Sequence, residues 1–62
     1  MPIINVSMRA GRSTEDKRVL VASITEAVVK SLNCSPQVVT VILNDMAKEN
    51  HAIGGVLDLD KK

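Results

Sequence analysis

The run from Val38 to Asn44, β-branched and almost entirely apolar, is the strongest constraint on the fold. β-Branched residues favour strands, and a strand without polar alternation is typically covered on both faces. The chain has 62 residues, which allows a single domain spanning 1–62. One small domain must therefore bury both faces of the same sheet.

A second strand is predicted from Ile3 to Met8, because apolar Ile4, Val6 and Met8 alternate with other residues. This period of two is typical of a strand with one apolar face.

A helix is predicted between the two strands, with Ser13 as its N-cap and Leu32 near its end. Acidic Glu15 and Asp16 suit the positive end of the helix dipole. The apolar stripe that this helix should bury consists of Leu20, Ile24, Ala27, Val28 and Leu32.

The rest of the chain is predicted to be turns and one short β element. Asn33 to Pro36 forms a turn, and Asp45 to Asn50 forms a polar bend. Ile53 to Leu57 contains paired glycines and is interpreted as a hairpin or an edge strand. Residues 58–62 are expected to form a frayed tail.

Strand, helix and strand in this order predict an α/β (α+β) fold: one βαβ unit with parallel strands plus a short C-terminal hairpin. One helix covers only one face of the sheet. The chain contains no aromatic residue, and its single Cys and single His can form neither an internal disulfide nor a zinc site. We therefore expect an obligate oligomer, assembled through the uncovered sheet face.

Composition also excludes several classes of partner. A net charge of +1 and the absence of aromatic residues argue against nucleic-acid binding. No apolar run is long enough to cross a membrane, and the N-terminus lacks the features of a signal peptide. The sequence thus predicts a cytoplasmic protein that binds neither nucleic acid nor membrane.

The N-terminus carries the residue best suited to chemistry. The small Pro2 favours removal of Met1, and an N-terminal proline is a secondary amine. An α-amino group has a reference pKa of about 7.7–8.0, near the value that efficient proton transfer requires. Arg9 and Arg12 flank Gly11, where their guanidinium groups could hold a carboxylate. No metal or cofactor motif is present, so neither is expected.

Several segments together resemble the 4-oxalocrotonate tautomerase family. They are Pro2-Ile3-Ile4, Met8-Arg9-Ala10-Gly11-Arg12-Ser13, Thr14-Glu15-Asp16-Lys17, Asp45-Met46-Ala47-Lys48 and Ile53-Gly54-Gly55. The resemblance spans positions 2 to 57 and implies a cofactor-independent isomerase, built as a homohexamer from three dimers. It also implies that Pro2 is the general base and that Arg12 binds the carboxylate of a small substrate.

Three positions depart from the family pattern. Thr40 stands where the family has a second arginine that a neighbouring subunit contributes to the site. His51 stands where the family has a pocket phenylalanine, and Arg9 where the tautomerase tends to have an apolar residue. We count all three as candidate substrate-binding residues, with Arg9 partly replacing the missing cation. Loss of one cation that stabilises an enolate could cost about 10²–10³ in rate.

Two other functions stay open. The pair of Arg9 and Arg12 is similar to that of the chloroacrylic acid dehalogenases, which suggests a hydratase or dehalogenase of unsaturated acids. Those relatives also need an acidic residue to activate water, and Ile53 stands at the matching position. A catalytically decayed oligomeric binding protein is the third hypothesis, because the second arginine and the aromatic are missing.

Overall fold

The computed structural model describes residues 1–61 and consists of four strands, one helix and three short turns of 3-10 helix. The strands and helix are β1 (Ile3–Arg9), α1 (Thr14–Leu32), β2 (Thr40–Met46), β3 (Ala52–Ile53) and β4 (Val56–Leu57). The 3-10 turns are Pro36–Val38, Lys48–Asn50 and Asp58–Asp60. Within residues 1–61, no helix is long and apolar enough to cross a bilayer.

The predicted βαβ unit is confirmed. β1 pairs with β2 in parallel, from Ile3 opposite Thr40 to Arg9 opposite Met46, and α1 forms the crossover. The helix begins as predicted, since the Ser13 hydroxyl accepts a hydrogen bond from the Asp16 backbone N–H at 3.1 Å. It ends at Leu32, and the following Asn33 has a φ of 53°, in the left-handed region typical of the residue that caps a helix C-terminus.

β2 lies two residues later than predicted, at Thr40–Met46 instead of Val38 to Asn44. Pro36 begins a 3-10 turn, and the Val39 backbone N–H donates to the Pro36 carbonyl at 3.2 Å. That hydrogen bond keeps Val38 out of the sheet despite its strand propensity. At the other end, pairing with β1 extends the strand through Asp45 and Met46.

The helix packs on one face of the sheet, along a stripe that only partly matches the prediction. Leu20, Ile24 and Val28 are half-buried as expected, whereas Ala27 is exposed and Leu32 is 61% exposed. The predicted inclusion of Ala27 and Leu32 is therefore wrong for the single chain. The stripe turns toward the other flank of the helix, where the remaining half-buried residues are Lys17, Val21, Thr25 and Val29.

The predicted hairpin is confirmed as β3 and β4, which pair antiparallel around Gly54 and Gly55. The two glycines have φ of 62° and 81°, the positive values that a two-residue hairpin turn needs. The frayed tail differs from the structure, because Asp58–Asp60 form a turn tied to the hairpin by the Asp58 N–H to His51 carbonyl bond of 2.8 Å. Lys62, the last residue of that predicted tail, lies outside the described residues.

The second face of the β1–β2 sheet is open and of mixed character. Alternation along the paired strands puts apolar Ile3 and Ile42 on this face, 59% and 42% exposed respectively. The same face carries polar side chains as well as apolar ones, so β2 is less apolar on this side than its sequence suggested. The other residues of the open face are Asn5, Ser7, Arg9, Thr40, Asn44 and Met46.

The single chain has no interior of its own. None of residues 1–61 is buried, and the chain exposes 4783 Å², whereas a compact protein of its mass exposes about 3,900 Å². Its radius of gyration is 14.8 Å, against about 11 Å for a compact domain of this length, and its thinnest extent is 13 Å. This shape favours burial of the open face by further copies of the chain.

Ile42→Glu should weaken assembly, because it places a charge at the centre of the open face. Burying an isoleucine contributes about 2 kcal/mol per copy, and the substitution removes that contribution. We expect light scattering after size exclusion to give a multiple of 6.7 kDa for the unmodified protein and a smaller mass for the variant.

Ser23→Glu is the matched control, since Ser23 lies exposed on α1. It introduces the same charge away from the sheet and should leave the mass unchanged. A folded, monomeric unmodified protein at micromolar concentration would contradict the predicted assembly.

Candidate active site

Pro2 is anchored at the start of the sheet. The Thr40 backbone N–H donates to the Pro2 carbonyl at 3.0 Å, so Thr40 lies beside Pro2 where β1 and β2 begin. Pro2 is half-buried, whereas Met1 is 91% exposed. The sheet thus fixes the position of Pro2 while the residue before it is freely accessible.

Arg12 lies beyond the opposite end of β1, in the loop before α1. Gly11 has a φ of 120°, a conformation that residues with a Cβ rarely adopt, and it redirects the chain there. The Arg12 side chain is 71% exposed and contacts Asp16 only at 3.9 Å, a weak surface pair. Its guanidinium borders a groove between β1 and the first turns of the helix, lined also by Met8, Asp16, Lys17, Val19 and Leu20.

Arg9 and His51 are both bound to one carboxylate, that of Asp58. Arg9 Nε lies 3.0 Å from Asp58 Oδ2, and Arg9 Nη2 donates to Asp58 Oδ1 at 3.3 Å. His51 Nδ1 lies 2.7 Å from Asp58 Oδ2. The Asp58 side chain is only 6% exposed. One carboxylate thus connects the end of β1 to the C-terminal hairpin.

The surroundings of Asp58 lower the pKa of its carboxyl below the usual 3.8. The hydrogen bond from His51 is the main cause, because it stabilises the ionised form. The positive charges of Arg9 and Lys61 act in the same direction, while desolvation opposes them. The pKa of Asp58 thus lies on the side that favours its ionised form.

A single chain does not bring the predicted site residues together. Pro2 and Thr40 lie where β1 begins, whereas Arg9 and Arg12 lie at or beyond its end, and the strand is about 20 Å long. The two arginines also line different grooves, Arg9 on the open-face side and Arg12 on the helix side. Within one chain they do not form a single carboxylate clamp.

Asp58 is the residue that the sequence did not single out. It is 49 positions from Arg9, and no spacing rule predicts a contact at that separation. The sequence did contain one indication of this contact, because Arg9 and His51 both depart from the family pattern and Asp58 is an acid. Asp58, however, fell within the predicted frayed tail. Among residues 1–61, no group of histidine, cysteine and acidic side chains is arranged to hold a metal ion.

Comparison with known proteins shows the family. The sequence profile of the tautomerase enzyme family matches residues 2–58. A probable tautomerase of Staphylococcus epidermidis is 39% identical over 61 residues, which cover 98% of this chain and 100% of that protein. The chain therefore belongs to the tautomerase family.

Solved structures agree with this assignment. The crystal structure of a 4-oxalocrotonate tautomerase homologue has a TM-score of 0.94 at 37% identity, covering 100% of this chain and 98% of that one. A heterohexameric 4-oxalocrotonate tautomerase from Chloroflexus aurantiacus has a TM-score of 0.90 and covers 100% of both chains. Its 22% identity means that this second likeness shows the fold alone.

Acid should destabilise the protein partly through Asp58. Because its folded-state pKa is lowered, the ionised carboxylate stabilises the fold above about pH 3.8, and this contribution is lost as the pH falls through the folded pKa. Asp58→Asn should lack this component of the pH dependence. Denaturant unfolding between pH 2.5 and 6, at fixed protomer concentration, measures the difference.

Asp60→Asn is the control, because Asp60 is exposed in the same turn. Its acid profile should follow that of the unmodified protein. Identical profiles for Asp58→Asn and the unmodified protein would contradict the stabilising role of the Asp58 contacts.

Proposed function

We propose that this protein is a cofactor-independent keto–enol tautomerase that acts on a small 2-hydroxydienoate or 2-oxo acid. Membership of the tautomerase family supports the reaction class. The observation that carries the proposal is the N-terminus, where the sheet fixes Pro2 and the preceding Met1 is 91% exposed. Removal of Met1 would convert the Pro2 amide nitrogen into a secondary amine.

In this proposal the Pro2 nitrogen carries the proton between oxygen and carbon. It takes the proton of the 2-hydroxyl group, and the oxygen forms a carbonyl as the double bonds shift along the chain of the acid. The proline nitrogen, now protonated, returns the proton to the carbon at which the electron pair arrives. A base with a pKa close to the ambient pH serves both steps.

Arg12 is proposed to bind the carboxylate at the far end of the substrate. Its weak 3.9 Å contact with Asp16 leaves the guanidinium available, and its groove has apolar walls from Met8, Val19 and Leu20. A positive charge there draws electron density toward the carboxylate, which favours the dienolate formed during transfer.

We further propose that the complete site forms between copies of the chain. Pro2 and Arg12 lie beyond opposite ends of a strand about 20 Å long, farther apart than a small acid can reach. Burial of the open sheet face by other copies would bring Pro2 of one chain near Arg12 of another. A homohexamer is the expected assembly, as the family resemblance implies.

Thr40 adapts this site to a different substrate from that of the namesake enzyme. The resemblance expects an arginine at this position to reach the base from a neighbouring copy, and here a threonine hydroxyl replaces it. A hydroxyl supplies one hydrogen bond and no charge, and we therefore expect slower turnover of substrates that need a second cation near the 2-oxygen.

Pro2→Ala tests the chemistry. Replacing a positioned general base should lower kcat/KM by about 10²–10⁴ for ketonisation of 2-hydroxymuconate or phenylenolpyruvate. Mass spectrometry must first establish that Met1 is absent from both proteins. An active protein that retains Met1 would rule out the mechanism, because its Pro2 nitrogen is an amide.

A mixing experiment tests whether the site is shared. Pro2→Ala and Arg12→Ala chains should each be nearly inactive alone, and refolding them together should restore about a quarter of the sites, because half the chains carry each intact residue. Sites built within one chain would give no recovery on mixing.

The same assays separate the two other functions. Halide release from a 3-haloacrylate without ketonisation would favour a dehalogenase over a tautomerase. Equal, trace turnover by the unmodified protein and Pro2→Ala would favour a binding protein. The expected cytoplasmic location stays a prediction.

A further inference from the structure

We propose that Asp58 is a positioning residue that holds Arg9 as a fixed receptor for a substrate carboxylate. This inference rests on the proposed function and names a residue that neither the resemblance nor the family comparison assigns. Asp58 would touch no substrate itself and would act through Arg9.

The geometry between the two side chains fixes the plane of the guanidinium. Arg9 contacts Asp58 at two points, Nε to Oδ2 at 3.0 Å and Nη2 to Oδ1 at 3.3 Å. A guanidinium has five N–H donors, so this contact leaves three of them for another partner. The Arg9 side chain is 65% exposed, which leaves those donors accessible.

Asp58 is in turn held rigidly by the hairpin. Its side chain is 6% exposed, His51 Nδ1 lies 2.7 Å from Oδ2, and Lys61 Nζ lies 3.6 Å from Oδ1. The Asp58 N–H also donates to the His51 carbonyl at 2.8 Å. Both carboxylate oxygens are therefore engaged, and the anchor has little freedom to rotate. A receptor mounted on such an anchor loses little entropy when it binds a ligand.

The surroundings of Arg9 favour an anion. The groove beside it is bordered by Arg9, Lys48 and Lys61, against the single carboxylate of Asp58. Three positive charges face one negative charge, so the groove keeps an excess of positive charge after the internal pairs form. A planar carboxylate matches the remaining donors of a guanidinium better than it matches a lysine.

The same carboxylate explains two departures from the family pattern together. Arg9 stands where the resemblance places an apolar residue, and His51 stands where it places a phenylalanine. In this protein both side chains bind Asp58. A wall that is apolar in the namesake enzyme is thus replaced by a hydrogen-bonded unit of three residues, which should select for an additional carboxylate on the substrate.

Asp58→Asn tests this role by keeping the size of the side chain and removing its charge. We expect KM for 2-hydroxymuconate to rise about tenfold with a much smaller change in kcat, because the loss of a fixed receptor weakens binding. Asp60→Asn, in the same turn, should change neither value. The KM of phenylenolpyruvate, which has a single carboxylate, should respond less than that of the dicarboxylate.

A double-mutant cycle separates positioning from a general effect on the fold. If Asp58 acts through Arg9, Asp58→Asn should have no further effect on KM in an Arg9→Ala background. An equal loss in both backgrounds would overturn the proposal. Arg9→Lys, which leaves Asp58 in place, covers the case in which Asp58→Asn fails to fold. It should raise KM similarly, and an unchanged KM would also overturn the proposal.

A binding measurement that involves no catalysis distinguishes failure of this proposal from failure of the proposed function. The probe is muconate, a diacid that lacks the reacting hydroxyl, titrated calorimetrically into the inactive Pro2→Ala protein. Adding Asp58→Asn to that protein should weaken binding about tenfold. Muconate binding that depends on Asp58, found together with no ketonisation by the unmodified protein, would refute the tautomerase proposal alone. Muconate binding that is equally tight with and without the Asp58→Asn change would refute the positioning role alone.

Discussion

The parallel pairing of β1 with β2 is the interaction on which the rest of this structure depends. Parallel neighbours need a long crossover, and α1 provides it, so the sheet has a helix on one face, while residues 1–61 leave the other face largely open. A layer 13 Å thin with no buried residue among 1–61 cannot gain the stability of an ordinary core. Because β1 is extended over about 20 Å, its two ends also lie far apart, which separates Pro2 from Arg12.

The open sheet face and the separation of Pro2 from Arg12 both favour assembly of several copies. The open face needs partners for stability, and the proposed site needs partners for completeness, so assembly would satisfy both requirements at once. Stability and catalysis would then depend on the same contacts between copies. Asp58 adds a contact within the single chain, because its carboxylate binds both Arg9 and His51 without the help of another copy.

The sequence predicted those parts of the fold that local chemistry determines. The Ser13 cap, the alternation along β1 and the paired glycines each act within a few residues, and each prediction is confirmed. Where strand pairing or a turn competes with the strand propensity of the residues, the observed element differs from the predicted one. β2, for example, begins two residues later than predicted. In the site, Pro2 and Arg12 became candidates through the family resemblance and their roles stay predictions, whereas the Arg9–Asp58 contact joins residues too distant in sequence to be inferred.

The most direct measurement is a crystal structure of the assembled Pro2→Ala protein with muconate bound. The account predicts that each ligand lies between the N-terminus of one copy and Arg12 of another, with the open sheet faces covered. Muconate bound within a single copy, or an N-terminus facing solvent with no arginine of another copy near it, would contradict the account.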